Sequence, residues 1–199
     1  MANTYRTINV NSEYLIKEKQ SKFLGYAFPV LDIDIIKKHI DDLKKIHPAA
    51  RHFCYAYQIG ITEIIYRSND DGEPRNSAGI PIYGQIQSFD LTNVLIVVVR
   101  YFGGTKLGVG GLVSAYKECA KLTIEANKII TKEIIIPIQV KFDYPQMNVV
   151  MRIVKEYHLE IENQKMNINC VFDILTTKKN NVIVCKQFKR HPGIKLLDR

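Results

Sequence analysis

Residues Leu91–Tyr116 read LTNVLIVVVRYFGGTKLGVGGLVSAY, and this stretch decides how the first part of the chain folds. The near-continuous apolar run Val94–Val99 predicts a strand that is covered on both faces. Apolar residues then repeat at helical spacing, which predicts a helix that begins near Gly111. A glycine-rich loop joins the two, with Arg100 at its start and Lys106 inside it. Because a helix N-terminus presents unpaired N–H groups, an anion could bind there.

The glycine-rich loop matches neither of the common nucleotide motifs. Its order, GGTKL, is not the Gly-Lys-Ser/Thr of a P-loop, and after Gly108-Val109-Gly110 the last glycine of a dinucleotide fingerprint is missing. Two interpretations stay open: glycines that only let the helix pack on the sheet, or a site for phosphate, RNA or a partner. The candidate residues of that site are Arg100, Gly103, Gly104, Lys106, Gly108, Gly110 and Gly111.

A second unusual segment lies upstream, at Ser68–Pro81. It holds three carboxylates within four residues: Asp70, Asp71 and Glu73. Clustered oxygens suit Mg²⁺ or Ca²⁺, but the glutamate that closes an EF-hand loop is absent, so no metal site is predicted. The Asp-Gly pair favours a solvated acidic turn. If the two loops meet, a carboxylate could instead pair with one of the cations Arg75, Arg100 or Lys106.

Longer sequence blocks extend this pattern. They are DDGEP at Asp70–Pro74, Ala-Gly-x-Pro at Ala78–Pro81, and the segments Leu91–Gly104 and Lys106–Tyr116, preceded by Ser21–Val30 and His47–Gly60. Together they resemble the signature blocks of the IMPACT family, in its bacterial YigZ-like branch, over about residues 5–127. The chain departs from the usual pattern at residues 75–77, where Arg-Asn-Ser replaces Ser-Gly-Thr, and at Ser114, where arginine is frequent.

The order of predicted elements indicates an α+β chain of two domains, residues 1–130 and 131–199. The first domain is predicted to hold strands at 13–19, 22–30, 52–59, 63–67 and 91–102, and helices at 34–47, 80–89 and from 111. The second is predicted to hold strands at 133–143, 159–163 and 168–176, helices at 146–157 and 178–189, and a last strand. Only Val182-Ile183-Val184 argues against the final helix, because β-branched residues favour strands.

The family resemblance supplies names for these folds. It implies that the first domain is similar to the second domain of the small-subunit ribosomal protein numbered five, a β-α fold. It implies that the second is a ferredoxin-like module similar to the last domain of elongation factor G. Both comparisons point to the translation apparatus.

Composition limits the class of protein. The chain has 199 residues, 46% of them hydrophobic, so it can bury one substantial core or two small ones. No apolar run is long enough to span a membrane, and the N-terminal residues lack the regions of a signal peptide, so a cytoplasmic location is expected. The four cysteines are widely spaced, which indicates buried thiols rather than a metal centre, and no cofactor is expected.

Charge is concentrated in the second domain. Residues 131–199 hold 12 Lys and Arg against seven Asp and Glu, a net charge of +5, whereas residues 1–130 hold 16 against 13, or +3. A basic patch is predicted near the C-terminus, at Lys178, Lys179, Lys186, Lys189 and Arg190. Such a composition suits RNA phosphates, although a solvated surface of a basic protein would look the same.

The residues and the resemblance together predict a non-enzymatic, translation-associated regulator that binds RNA, the ribosome or a ribosome-associated protein. In this hypothesis Arg100, Lys106 and the Gly108–Gly111 backbone hold phosphate, while the acidic segment orders the facing loop. The alternative is a small-molecule enzyme with a nucleotide or phosphorylated metabolite at the glycine loop and Mg²⁺ on Asp71 or Glu73. No catalytic residue and no oligomeric state are predicted.

Overall fold

A computed structural model describes residues 2–167 and 169–197. The chain divides into two compact units: Tyr5–Lys132, and the chain from Glu133 onward together with the residues up to Thr4. The sequence-based boundary, between residues 130 and 131, lies two residues before this division. Each unit is described separately.

The first unit is built on a five-stranded sheet. Its elements, in chain order, are β1 (Thr4–Ile8), β2 (Ser12–Glu18), β3 (Ser21–Pro29), α1 (Ile33–Ile46), β4 (His52–Ile59), β5 (Ile65–Asn69), α2 (Gly79–Ser88), β6 (Val94–Tyr101), α3 (Gly108–Glu125) and β7 (Ile129–Glu133). The sheet order is β2-β3-β6-β4-β5, with antiparallel neighbours throughout. Strands β1 and β7 form a separate two-stranded sheet.

The central strand β6 is buried on both faces, as its apolar run predicts. Val94, Ile96 and Val98 belong to the core beneath α2 and α3. The alternating residues Leu95, Val97 and Val99 belong to a second core, which includes residues of α1. Successive side chains of a strand point to opposite faces, so a strand between two helical layers needs an unbroken apolar run.

The second unit is a four-stranded sheet with two helices on one face. Its elements are β8 (Ile135–Asp143), a 3-10 turn (Tyr144–Gln146), α4 (Met147–Glu156), β9 (Glu160–Met166), β10 (Asn169–Thr177), α5 (Lys178–Lys189) and β11 (Ile194–Leu197). The order β11-β8-β10-β9, antiparallel throughout, gives the ferredoxin-like β-α-β-β-α-β arrangement that the resemblance implies.

The helix predicted at Lys178–Lys189 is confirmed as α5 despite its β-branched run. Thr177 caps the helix by accepting a hydrogen bond from the Asn180 amide at 3.3 Å, and Val184 and Phe188 are buried in the core of the unit. Capping and burial together outweigh the intrinsic strand preference of three residues.

Two predicted boundaries are wrong. Helix α3 begins at Gly108 rather than near Gly111, so three candidate glycines lie in its first turn. The strand predicted at 133–143 is divided at Ile134, where β7 ends and β8 begins. Across the described residues, no helix is long and apolar enough to cross a lipid bilayer.

Candidate functional site

The acidic segment contacts the end of β6 through a buried ion pair. Arg100 donates a hydrogen bond to Glu73 Oε1 at 2.6 Å, and the two side chains are only 6% and 4% exposed. The hydroxyl of Tyr116, in α3, donates to the same carboxylate oxygen at 2.8 Å. One glutamate therefore connects the acidic loop, β6 and α3. Of the pairings that the sequence left open, the structure selects this one.

Further contacts close this network. A second guanidinium nitrogen of Arg100 lies 3.5 Å from Ser21 Oγ. The Cys54 thiol donates to the Tyr116 oxygen at 3.3 Å and lies 2.9 Å from the Asp70 carbonyl oxygen. Burial raises the pKa of both Cys54 and Tyr116 well above their usual ranges. The Cys54 thiol and the Tyr116 hydroxyl therefore stay protonated near neutral pH.

The two aspartates of the segment also bind the chain itself. Asp70 accepts hydrogen bonds from the amides of Ala78 and Gly79, at 3.0 and 2.8 Å, and so caps the start of α2. Asp71 accepts from the Phe53 amide at 2.6 Å. The predicted turn is present, with φ of +40° at Asp71 and +84° at Gly72, and both aspartates are half-buried. Glu73 differs from the expectation of a solvated acidic turn, because its side chain is buried. Within the described residues, no cluster of three or more His, Cys, Asp or Glu could hold a metal ion.

The glycines of the predicted anion site serve different purposes. A Cβ at Gly103 would lie 2.1 Å from the Gln20 carbonyl carbon, so close backbone packing requires glycine there. Gly104 and Gly108 have φ of +88° and +73°, which also favours glycine. A Cβ at Gly104, Gly108 or Gly110 would meet no described atom within 4 Å. The glycine loop is therefore partly packed and partly open.

The anion candidates are not all brought together. Lys106 and the backbone of Gly108 and Gly110 are exposed at the start of α3, where no described side chain caps the helix. Gly111 is half-buried, with Leu107 near it. Arg100, by contrast, is buried and committed to Glu73. Its predicted role as a phosphate ligand conflicts with this geometry, since a phosphate would have to displace a buried carboxylate.

A cleft of about 480 Å³ adjoins the glycine loop and was not foreseen from the sequence. It is lined by Leu15, Gln20, Lys22, Leu24, His47, Tyr101 and Phe102. The Phe102 ring is 53% exposed, and the guanidinium of Arg100 lies 5.5 Å from its centroid. The cleft therefore combines an exposed aromatic residue, Phe102, with one exposed cation in its lining, Lys22. Alternation along β3 was the available signal, because Lys22, Leu24 and Tyr26 share one face.

His47 is held at the cleft by two tyrosines. Its Nε2 lies 2.8 Å from the Tyr26 hydroxyl and its Nδ1 lies 3.0 Å from the Tyr101 hydroxyl. A neutral imidazole donates at one nitrogen and accepts at the other, so one tyrosine accepts and the other donates. Desolvation by burial lowers the pKa of His47, and burial raises that of Tyr26. His47 and the two tyrosines therefore form a hydrogen-bonded wall that is uncharged near neutral pH.

The predicted C-terminal basic patch lies on α5. Lys179, Lys186 and Arg190 recur at helical spacing on its outer side and are exposed, as is Lys189 beside them. Lys178, the first residue of the helix, is half-buried. The structure thus gathers four of the five predicted cations on the surface of one helix.

Comparison with known proteins identifies the family. The profile described as the Impact N-terminal domain matches residues 19–124, more than half of the chain. The chain belongs to the IMPACT family. The IMPACT family member YvyE of Bacillus subtilis is 28% identical over 179 residues, which cover 90% of this chain and 82% of that protein. The IMPACT family member in the pol 5′ region of Thermus thermophilus is 39% identical over 144 residues, covering 72% and 77%.

Structural comparison extends the match to the whole chain. A crystal structure of a hypothetical protein superposes with a TM-score of 0.78 at 22% identity, over 100% of this chain and 98% of that one. At this identity the likeness shows the fold. The segment matched to the IMPACT family contains the acidic segment, the glycine loop and most residues of the cleft, whereas α5 lies outside it.

Proposed function

We propose that this IMPACT family chain is a non-enzymatic regulator associated with translation, acting in the cytoplasm by binding RNA. The ribosome, or a protein bound to it, is the expected context. Two features support a place in translation: the α+β fold of the first unit, which resembles a ribosomal-protein domain, and the ferredoxin-like second unit, which resembles a module of an elongation factor. Membership of the IMPACT family supports the same context, because the family resemblance implies a role in the regulation of translation.

The observation that carries the RNA proposal is the position of Phe102. This exposed ring lies between the cleft and the glycine loop. Lys22 lies on one side of it in the cleft lining, and Lys106 follows four residues later in the exposed loop. Single-stranded nucleic acid is bound by this combination, since an aromatic face stacks on a base while nearby cations contact the phosphates.

The free backbone at the start of α3 adds a second element. The amide groups of the first helical turn lack partners within the helix, and the helix dipole favours negative charge at this end. Lys106 and these amides could contact a phosphate that follows a base stacked on Phe102. The α5 basic patch would add long-range attraction, which depends on salt.

The enzyme alternative is less well supported. It needs Asp71 or Glu73 to hold Mg²⁺ beside a bound nucleotide. Asp71 already accepts a hydrogen bond from the Phe53 amide, and Glu73 is buried against Arg100 and Tyr116. Metal binding would have to break those contacts. A nucleotide and Mg²⁺ at 100 times the dissociation constant would raise stability by about 2.7 kcal/mol, which a thermal-shift assay would detect.

The test is fluorescence anisotropy of a labelled oligouridylate titrated with the full chain, followed by co-sedimentation with ribosomes. The variant Phe102→Ala/Lys106→Ala removes one stacking ring and one cation. We expect a loss of about 1–3 kcal/mol of binding free energy from the ring alone. The matched control is Ile80→Ala/Lys44→Ala, which also removes an exposed apolar side chain and an exposed lysine from the same unit. Equal affinity of the two variants would contradict the proposed site.

A further inference from the structure

We infer that the open face of the sheet in the second unit is a binding surface for an RNA backbone, made by a row of three lysines. The inference rests on the proposed function for the identity of the ligand. It concerns a different unit and a different surface from the cleft and the glycine loop. The predicted α5 patch does not include any of the three residues.

The register of the four strands places the three lysines in one line across the sheet. Lys195 of β11 pairs with Lys141 of β8, Lys141 pairs with Val171 of β10, and Val171 pairs with Lys165 of β9. Partners directly opposite in antiparallel strands share one face. The row therefore crosses all four strands with lysine at three of its four positions. At about 4.8 Å between strands, it spans about 14 Å.

This row faces away from the helices. The core that contains α4 and α5 takes the alternate residues of the strands, among them Val140 and Phe142 of β8 and Phe172 of β10. Lys141 lies between Val140 and Phe142 and so points to the other face. Lys165 and Lys195 are exposed, and Lys141 is half-buried.

Within the described residues, none of the three lysines of the row takes part in an ion pair. In the adjacent row, Asp173 accepts hydrogen bonds from Gln139 at 2.8 Å and from Asn163 at 3.3 Å. These neutral amides leave its negative charge in place, so it offsets one of the three positive charges on this face.

Like charges directly opposite each other in a sheet are destabilising. Lys141 and Lys195 are such a pair, with Lys165 one strand beyond Val171. A chain of phosphates laid along the row would remove this repulsion. The sheet with bound phosphates therefore has a lower electrostatic free energy than the sheet without them, and this difference favours binding.

The chemistry of the face favours a backbone over bases. The row and its neighbour contain Lys, Val, Leu, Gln, Asp and Asn, and no aromatic ring on which a base could stack. Ammonium groups at regular spacing contact phosphates without reading sequence. The three positions are far apart along the chain, so their alignment depends on strand register.

The test compares two triple variants of the full chain that remove the same charge from the same unit. The row variant removes the three positive charges of the row (Lys141→Gln/Lys165→Gln/Lys195→Gln). The α5 variant removes three positive charges from the outer side of α5 (Lys179→Gln/Lys186→Gln/Arg190→Gln). Oligouridylate affinity is measured by anisotropy across a salt series. Each lost phosphate contact reduces the slope of log K against log salt by about 0.7, so the row variant should lose about 2 in slope and the α5 variant much less.

Several results would decide the matter. Equal losses in both variants would show a general charge effect and overturn the inference, as would an unchanged slope in the row variant. Removal of like charges should leave the melting temperature of the row variant equal to or above that of wild type, so a fall would indicate a structural role instead. Polyglutamate bound through the same lysines while oligouridylate binding is unaffected would assign the face to an acidic protein and overturn the RNA assignment.

The proposed function can fail separately. If wild type binds oligouridylate and loses affinity through Phe102→Ala/Lys106→Ala but not through the row variant, only this inference fails. If wild type does not bind RNA at low salt, the proposed function fails and the inference with it.

Discussion

Arg100 shows how the structure reassigns a single residue. Its position at the end of β6, beside a glycine-rich loop, favours an anion ligand when only the sequence is known. The structure instead places Arg100 against Glu73. The Nε of Arg100 is buried and has no hydrogen-bond acceptor among the described residues. A buried guanidinium with an incomplete set of acceptors depends strongly on the one carboxylate that it has.

Glu73→Gln should therefore destabilise the first unit severely. Removing one member of a buried ion pair leaves an uncompensated charge, and we expect a loss of about 3–5 kcal/mol in the free energy of unfolding. Chemical denaturation followed by circular dichroism measures this loss. The control, Glu125→Gln, removes a half-exposed carboxylate 3.9 Å from Lys121 and should cost less than about 1 kcal/mol. Similar losses in both variants would contradict the role given to the buried pair.

His47 should titrate below its usual range because burial disfavours the imidazolium. As the pH falls through about 6.5, the His47 imidazole takes up a proton in the unfolded chain but stays neutral in the folded chain. The free energy of unfolding therefore decreases from that pH downward. Histidine NMR should give a folded pKa below 6.5, and His47→Gln should weaken the acid-dependent loss of stability. A pKa of His47 at or above 6.5 would refute this account. His39, whose pKa is also lowered by burial, remains in both proteins.

At the scale of elements, the connection from β6 to α3 combines packing and exposure within a few residues. Gly103 donates its amide to Ser21 Oγ at 3.1 Å and packs against the backbone of residue 20. Gly110, in the first turn of α3, faces open space. Glycines that look equivalent in the sequence therefore have opposite tolerance to substitution.

Gly103→Ala should destabilise the chain, because the new Cβ would lie 2.1 Å from the carbonyl carbon of Gln20. We expect a cost of about 2 kcal/mol or more, since the clash is with backbone. Gly110→Ala is the matched control: nothing described lies within 4 Å of its Cβ, and alanine in a helix is favoured by up to about 1 kcal/mol. Thermal melts of both variants measure the difference. A Gly103→Ala protein as stable as Gly110→Ala would contradict the packing argument.

At the scale of the whole molecule, the chain has separate cores in its two units, and the cysteines are distributed between them. Cys54 and Cys119 are buried in the first unit, and Cys170 is buried in the second. Only Cys185 of the four is partly exposed. Thiol chemistry therefore reports on the integrity of both cores.

Alkylation of the native protein should modify Cys185 first. Burial raises the pKa of Cys119 to about 12, which leaves almost no thiolate near neutral pH, and it raises that of Cys54 further. Peptide mass spectrometry over a time course should show one rapidly labelled cysteine, and the Cys185→Ser variant should lose that labelling. Rapid labelling of Cys119 under native conditions would contradict the described core.

Much of the fold was predictable from local pattern. The runs in β6, α3 and α5 each carry their own periodicity or capping residue, which neighbouring residues alone determine. The site was less predictable. Lys106 and the exposed glycines follow from the sequence, and the Glu73–Arg100 pair was one of several pairings that the sequence left open. The cleft and the lysine row depend on packing and strand register, which bring together residues distant in the chain.

Composition and periodicity are local properties, so they were enough to predict the α+β class, the order of the elements and the excess of positive charge in the second unit. Which charges are paired inside the protein and which remain exposed depends on the tertiary structure. Arg100 and the three acidic residues bind other groups of the same chain. The ion pairs found in the described residues do not involve Lys106, Lys141, Lys165 or Lys195. Burial and partnership depend on packing between distant segments, and no local pattern encodes them.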